Sequence, residues 1–308
     1  MNLRQIRYFL QVAELGNLTR ASDVLNIAQP ALSRQIRLLE EDLGESLFTR
    51  SGQGVELTQA GRALKEHAAF VVNQFDKLRE VIGDQSSPRG HLTVGLPPAI
   101  GQFVSLELID EYCRRYTDVH LHVREGISID LASDVQQRKI DCAVVVLDDT
   151  PGVNAEQLFT EGLFLAAPPS AGLSPSKPVT LKAAENKPLI LTNRMNNFRL
   201  AIEAAFKRAD ISMRILADSN STRMISNLVT RGTAYSILPY CAIQASLKQG
   251  DLSASPIEGL HVNWAFIRPA AGELTLPAKL FRQLLLDIVR KKIENGSWPT
   301  AILAEARD

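Results

Sequence analysis

Two sets of side chains share one helical period within residues 29–43. Leu32, Ile36, Leu39 and Leu43 fall at i, i+4, i+7 and i+11 and make a single apolar stripe. Pro30, Ser33, Arg34 and Arg37 fall at i, i+3, i+4 and i+7 on the opposite side. A helix built this way buries one face and presents short polar and guanidinium groups on the other. That is the chemistry of major-groove reading, in which arginine meets a guanine edge with paired hydrogen bonds and serine reaches a base or phosphate. Pro30 suits a first turn, where its missing N–H costs nothing, and the remaining N–H groups of that turn suit a phosphate. Any surface helix also exposes Arg and Ser, so the spacing alone leaves both readings open. Charge does not decide between them. Residues 1–60 carry six Arg and no Lys against seven Asp and Glu, so the case rests on where the arginines sit.

The elements that would position this helix are short. Residues 4–14 read as a helix with Ile6, Leu10 and Ala13 on one face, ended by Gly16. Thr19 is expected to cap a second helix carrying Ala21 and Leu25, with a tight turn at 26–28. Gly44 follows the third helix as a C-terminal stop. Residues 46–50 and 55–57 flank Ser51-Gly52-Gln53-Gly54, a hairpin pattern. A hairpin behind a helix-turn-helix is a wing, which lies along the DNA backbone or minor groove. Thr58 then starts a helix reaching residue 84, in which Leu64, Ala68, Val71, Phe75, Leu78 and Ile82 alternate by four and three. That is a heptad seam. It could pack on its own domain, but a seam with a second copy is the preferred reading.

Length and composition narrow the class. The 308 residues fit two or three domains. Lys+Arg and Asp+Glu are equal at 34, which excludes polybasic and acidic disordered chains. Cys113, Cys142 and Cys241 are odd in number and lack a CxxC, pointing to buried thiols in a reducing cytoplasm. The longest apolar run, 142–147, is far short of the roughly 18 residues of a membrane span, and the N-terminus has no signal-peptide pattern. After a hinge at 85–90, strand patterns near 91–96, 119–124, 142–147, 163–167, 189–191, 213–217, 234–238 and 262–267 alternate with helical ones near 101–116, 128–139, 197–209, 221–231, 239–248 and 276–294. This is α/β grammar. No GxSxG, HExxH, GxGxxG after a strand, or GxxxxGK[ST] occurs. His120 and His122 share a strand face, and Asp148-Asp149 follow a buried strand. Solvated strand histidines and a polar strand exit account for them better than a metal site or an acid/base pair. No catalytic residues, metal or cofactor are expected.

The stretches LRQIRYFLQVAELGNLTRAS, AQPALSRQIRLLEEDLG, SLFTR and GVELTQAG, in this order, make residues 1–61 resemble the DNA-binding domain of the LysR-type transcriptional regulators. LTRAS, IAQPALS and GVNAEQL…GLFLAAP are similar to the nitrogen assimilation control group within it. The resemblance implies an α/β chain with a winged helix-turn-helix at 1–58, a linker and dimerisation helix with hinge at 59–90, and a two-lobed effector domain like a type 2 periplasmic binding protein at 91–308. Lobe I would hold about 91–163 and 267–308, and lobe II about 164–266, with crossings near 160–165 and 265–270. It places Gln29, Pro30, Ser33, Arg34 and Arg37 at the groove, and Arg50, Ser51 and Gln53 in the wing. Two departures weaken the backbone contacts: Ala28 stands where a Ser cap is common, and Gln53 and Glu56 where basic residues are common. The resemblance further implies a homodimer or homotetramer on double-stranded DNA with two operator half-sites, a cytoplasmic location, and RNA polymerase as a further partner.

The same family architecture puts a small-molecule crevice at 96–101, 125–128, 193–198 and 219–222, beside strand ends and helix starts. There Asn193, Asn196, Asn197, Asn220, Ser221 and Thr222 offer neutral donors next to helix N-termini, an arrangement suited to a carboxylate or similar anion. Phe198 ends the third stretch, and Pro97, Pro98 and Ile127 would add an apolar wall from the other lobe. The Asn, Ser and Thr residues are equally explained as helix caps. The expectation is a ligand-responsive regulator, not an enzyme.

Overall fold

The computed structural model describes residues 1–51, 54–82, 87–147 and 152–304. Contacts divide the chain into two units, Met1–Ser86 and Ser87–Asp308.

In the first unit, α1 (Leu3–Leu15) starts at a capping box. The Asn2 side chain accepts from the Gln5 N–H at 3.0 Å, and the Gln5 side chain accepts from the Asn2 N–H at 2.9 Å. Gly16 ends the helix in the left-handed region. The cap of α2 (Leu18–Val24) is Asn17, which accepts from Thr19 and Arg20 N–H groups at 2.9 and 3.1 Å. Thr19, the expected cap, is therefore a donor inside the helix. Next come α3 (Gln29–Leu43), the antiparallel strands β1 (Phe48–Ser51) and β2 (Gly54–Leu57), and α4 (Gln59–Ile82). Thr58 caps α4, accepting from the Gly61 N–H at 2.9 Å. The core is built on Ile6, Phe9, Val12, Ala21, Leu32, Ile36, Leu39 and Leu47, with Leu10 and Ala13 at its margin. Leu43, the fourth residue of the α3 stripe, is exposed.

This core also takes the start of the heptad seam. Ala68 is buried in it and Leu64 packs against it. These two positions of the expected dimer seam are thus corrected to packing within the chain, because α1 supplies the facing surface. Further along α4, Val71 and Phe75 are 45% and 40% exposed. The side chains of Leu78 and Ile82 lie outside the described residues.

The second unit runs β3 (Gly90–Leu96), α5 (Pro98–Arg115), β4 (Val119–Glu125), α6 (Ser128–Gln136), β5 (Cys142–Val146), β6 (Val153–Ala167), β7 (Pro188–Leu191), α7 (Asn197–Ala209), β8 (Arg214–Asp218), α8 (Thr222–Thr230), β9 (Ser236–Pro239), α9 (Tyr240–Gln249), β10 (Ser253–Pro269), α10 (Leu276–Glu294) and β11 (Ala301–Leu303). One sheet has the order β11-β6-β10-β5-β3-β4, with β9 also on β6, and β7 pairs with β8 in a second sheet. β6 and β10 are antiparallel and longer than their apolar centres. The start of β6 is exposed at Asn154, Ala155, Glu156 and Gln157, so hydropathy reveals only the buried end near 163–167. The two strands change partners along their length. Ala265–Ile267 lie beside β5, whereas Leu163–Ala166 lie beside β9. The β10 register on β6 shifts between Pro256 and His261, and β10 meets β5 from Trp264 to Ile267.

A Cβ on Gly61 would stand 2.1 Å from the Leu47 carbonyl oxygen. Gly61→Ala should therefore destabilise the first unit by about 1–3 kcal/mol. Urea denaturation followed by circular dichroism should show an earlier transition. The emission of Trp264 and Trp298, both in the second unit, should keep its midpoint.

Candidate DNA-reading face and interlobe cleft

A groove between α3 and the wing is lined by Gln29, Pro30, Ser33, Arg34, Arg37 and Glu40, with Leu18, Phe48 and Val55 at its base. Pro30, Arg34 and Arg37 are exposed, and Gln29 and Ser33 half-buried. The α3 stripe packs inward on the opposite side. Arg37 pairs with Glu41 at 3.5 Å across one turn. Ala28 is the N-cap of α3 and gives no side-chain hydrogen bond, leaving the first turn uncapped from that residue. The side chains of Arg50 and Ser51, and all of Gln53, lie outside the described residues.

Two ties hold the wing to the helices. Glu40 Oε1 accepts from the Leu47 and Phe48 N–H groups at 2.7 and 3.2 Å. Its carboxylate is a strut between the end of α3 and β1. At the other tie, the Val55 N–H donates to Gly16 O at 2.9 Å. There Gly54 has φ +145°, and a Cβ on it would meet that same oxygen at 2.3 Å. Only glycine permits this approach. Nothing in the sequence marked Glu40, since its partners are backbone groups.

The second place of interest is where strand ends meet helix starts. β7 and β8 run parallel with Leu191 opposite Asp218, and the Ser219 N–H donates to Leu191 O at 3.0 Å. The segments that follow them therefore lie side by side. Asn196 caps α7 and accepts from the Phe198 N–H, and Ser221 caps α8 and accepts from the Met224 N–H. For these two residues the capping account holds. Asn197 Nδ2 donates to Val146 O at 2.9 Å, and the Val146 N–H donates to Ser128 Oγ at 3.0 Å. The ends of β5, α6 and α7 are thereby joined.

Beside this junction, Thr192 Oγ1, Asn193 Oδ1 and Thr222 Oγ1 are buried and lack a hydrogen bond among the described residues. Such atoms cost about 1–3 kcal/mol each unless something satisfies them. Pro98 and Ile127 are half-buried, and Pro97 is buried as the N-cap of α5. Asn220 is exposed. Phe198 is 4% exposed and packs edge-on against Trp264 at 5.6 Å. It is a core residue rather than part of an open wall. Thr192 was missed because it reads as the continuation of an apolar strand.

Arg199, 1% exposed, sits beneath the junction. It donates to Glu203 and Asp218 carboxylates at 2.7 Å each and to Thr192 O at 3.1 Å. Its charge is matched by two carboxylates, so it fixes the ends of β7 and β8 rather than offering a free cation. His120 is exposed opposite His91, and His122 opposite Thr93. Among the described residues no group of three His, Cys, Asp or Glu could hold a metal ion. Asp148 and Asp149 lie outside them. Cys142 and Cys241 are buried thiols, whereas Cys113 is exposed, against expectation. No described helix is long and apolar enough to cross a membrane.

Comparison with known proteins covers both units. Residues 3–62 match the family "Bacterial regulatory helix-turn-helix protein, lysR family", and residues 85–290 match "LysR substrate binding domain". The nitrogen assimilation regulatory protein nac of Escherichia coli K12 is 24% identical over 97% of this chain and 99% of its own length. The uncharacterized HTH-type transcriptional regulator YwbI of Bacillus subtilis 168 is 30% identical over 78% of this chain and 80% of its own. Full-length CbnR, solved in complex with its target DNA, aligns with a TM-score of 0.68 at 24% identity, covering 94% of this chain and 99% of that one.

Glu40→Ala removes both acceptor bonds that hold the start of β1. Hydrogen exchange at the Leu47 and Phe48 amides should accelerate, with the α1 and α3 amides unchanged.

Proposed function

The chain belongs to the LysR-type transcriptional regulators, and on that premise we propose that it reads a two-half-site operator through α3 and the wing under the control of a small organic anion bound between its two lobes. Gln29, Pro30, Ser33, Arg34 and Arg37 make the groove contacts. Arg50, Ser51 and Gln53 contribute from the wing. The free N–H groups of the uncapped first turn of α3 meet a phosphate.

The observation that carries the effector reading is the set of unpaired polar atoms on Thr192, Asn193 and Thr222, at two parallel strand ends beside the N-termini of α7 and α8. Helix N-termini favour negative charge, and the two threonine hydroxyls can donate to it. The Asn193 oxygen accepts, which favours an anion that itself carries a hydroxyl or amine. Pro98 and Ile127 give an apolar side from the other lobe. Asn197, bonded across to Val146, sets how far the lobes close, and closure changes how the DNA-binding units are presented.

Val71 and Phe75 are the exposed start of the seam through which α4 pairs with a second copy, and Leu78 and Ile82 continue it. The protein acts in the cytoplasm as a homodimer or homotetramer, with RNA polymerase as a further partner.

Three measurements test this reading. Genomic footprinting with the purified protein locates the operator, and Arg34→Ala should then cost about 1–3 kcal/mol of preference for it over random duplex in a gel-shift assay. Phe75→Asp should yield smaller species by sedimentation. In a thermal-shift screen of small carboxylates on the full chain, a true effector at a hundredfold its Kd adds about 2.7 kcal/mol of stability. That gain should vanish in Thr222→Val. Stabilisation by neutral or cationic compounds alone contradicts the anion.

A further inference from the structure

Glu161 is a buried carboxylate whose surroundings are all donors. It is 0% exposed. Its Oε1 accepts from the Cys241 N–H at 2.9 Å and from Trp298 Nε1 at 2.8 Å. Its Oε2 accepts from Trp264 Nε1 at 2.7 Å and from the Cys241 thiol at 3.4 Å. Among the described residues no Lys or Arg pairs with it. Burial pushes the Glu161 carboxyl up, and these donors pull it back. Burial, then the neighbouring carboxylate, pushes the Cys241 thiol up, which keeps it protonated as a donor. Four donors and two oxygens match a carboxylate and leave no place for the donor hydrogens of an amide.

The position of Glu161 gives this cluster its meaning. On one edge of β6, residues 159–161 pair with β11, and from Leu163 onward the partner is β9. Glu161 thus stands where β6 changes partner on this edge, with only Gly162, whose N–H donates to Thr300 O at 3.2 Å, between it and Leu163. Its donors come from α9, which packs on both α5 and α8, from β10, and from the segment that leads into β11. The Trp264 ring continues the path. It packs edge-on against Phe198, the neighbour of Asn197, which reaches across the lobes to Val146.

We propose that Glu161 is the positioning residue of the interlobe hinge, fastening α9 and Trp264 so that Phe198 and Asn197 hold the closed contact to Val146. This rests on the reading of the cleft as the controlled site, but its own test needs no effector. Trp264 and Trp298 are the only tryptophans in the chain, so intrinsic fluorescence reports on this one carboxylate.

The experiment is hydrogen exchange by mass spectrometry on the full chain, with emission spectra recorded in parallel. Glu161→Gln should shift the tryptophan emission and speed exchange in peptides covering 142–147 and 197–206 by roughly tenfold, as expected for loss of a bond to a charged group. Trp264→Phe should reproduce the faster exchange at those peptides. Trp298→Phe, which removes one donor to Glu161 but leaves the Trp264–Phe198 contact in place, should leave them at the wild-type rate. If Glu161→Gln does not fold, the two tryptophan variants still decide. Equal effects from both, or faster exchange confined to residues around 161, 241 and 298, would overturn the proposal and leave Glu161 a local structural group. A failed carboxylate screen with the exchange pattern as expected would remove the effector reading and keep the hinge.

Discussion

The antiparallel pair β6 and β10 is the constraint on which the second unit depends. β10 lies beside β5 at 264–267, and the far edge of β6 passes from β11 at 159–161 to β9 from Leu163 onward. A backbone ladder resists stretching but tolerates twist, so two lobes joined by two strands can rotate about them without unfolding. The unpaired atoms of Thr192, Asn193 and Thr222 lie at the ends of β7 and β8, and Glu161 lies in β6 where its edge partner changes from β11 to β9.

The DNA-reading unit follows a different logic. Its groove needs α3 and the wing at a fixed separation, and the sequence provides for this with backbone contacts. Glu40 binds two N–H groups of β1, and Gly54 lets the wing root approach the Gly16 carbonyl. Both ties satisfy part-buried backbone groups, which helps a hairpin of four-residue strands hold its place. Among the described side chains at the groove, Arg37 shares its charge with Glu41.

What the sequence made legible was local. α3, α7 and α10 have the expected bounds because amphipathic period and end signals agree within each segment. The winged unit was recognisable for the same reason. The heptad seam was legible as a seam but not as a partnership. Leu64 and Ala68 obey the same period whether α1 or a second copy supplies the facing surface, and here α1 does. Thr19 and Asn17 are both good caps, and only the chain geometry chose Asn17. Glu161 was invisible, since its tryptophan partners lie 103 and 137 residues away and a lone Glu between Thr160 and Gly162 reads as solvated. The predicted residues divided by backbone position: Asn196 and Ser221 at N-cap sites became caps, Asn197 bonded to Val146, and Asn193 and Thr222 kept unpaired oxygens.

The central claim is that occupancy of the cleft alters how the protein lies on DNA. A footprint of the full chain on its operator, taken with and without a saturating carboxylate that stabilises the protein, tests this directly. The account predicts that the protected length or the spacing of enhanced cleavage between half-sites changes for the unsubstituted protein and stays fixed for Thr222→Val. An identical footprint with the cleft full and empty would contradict it.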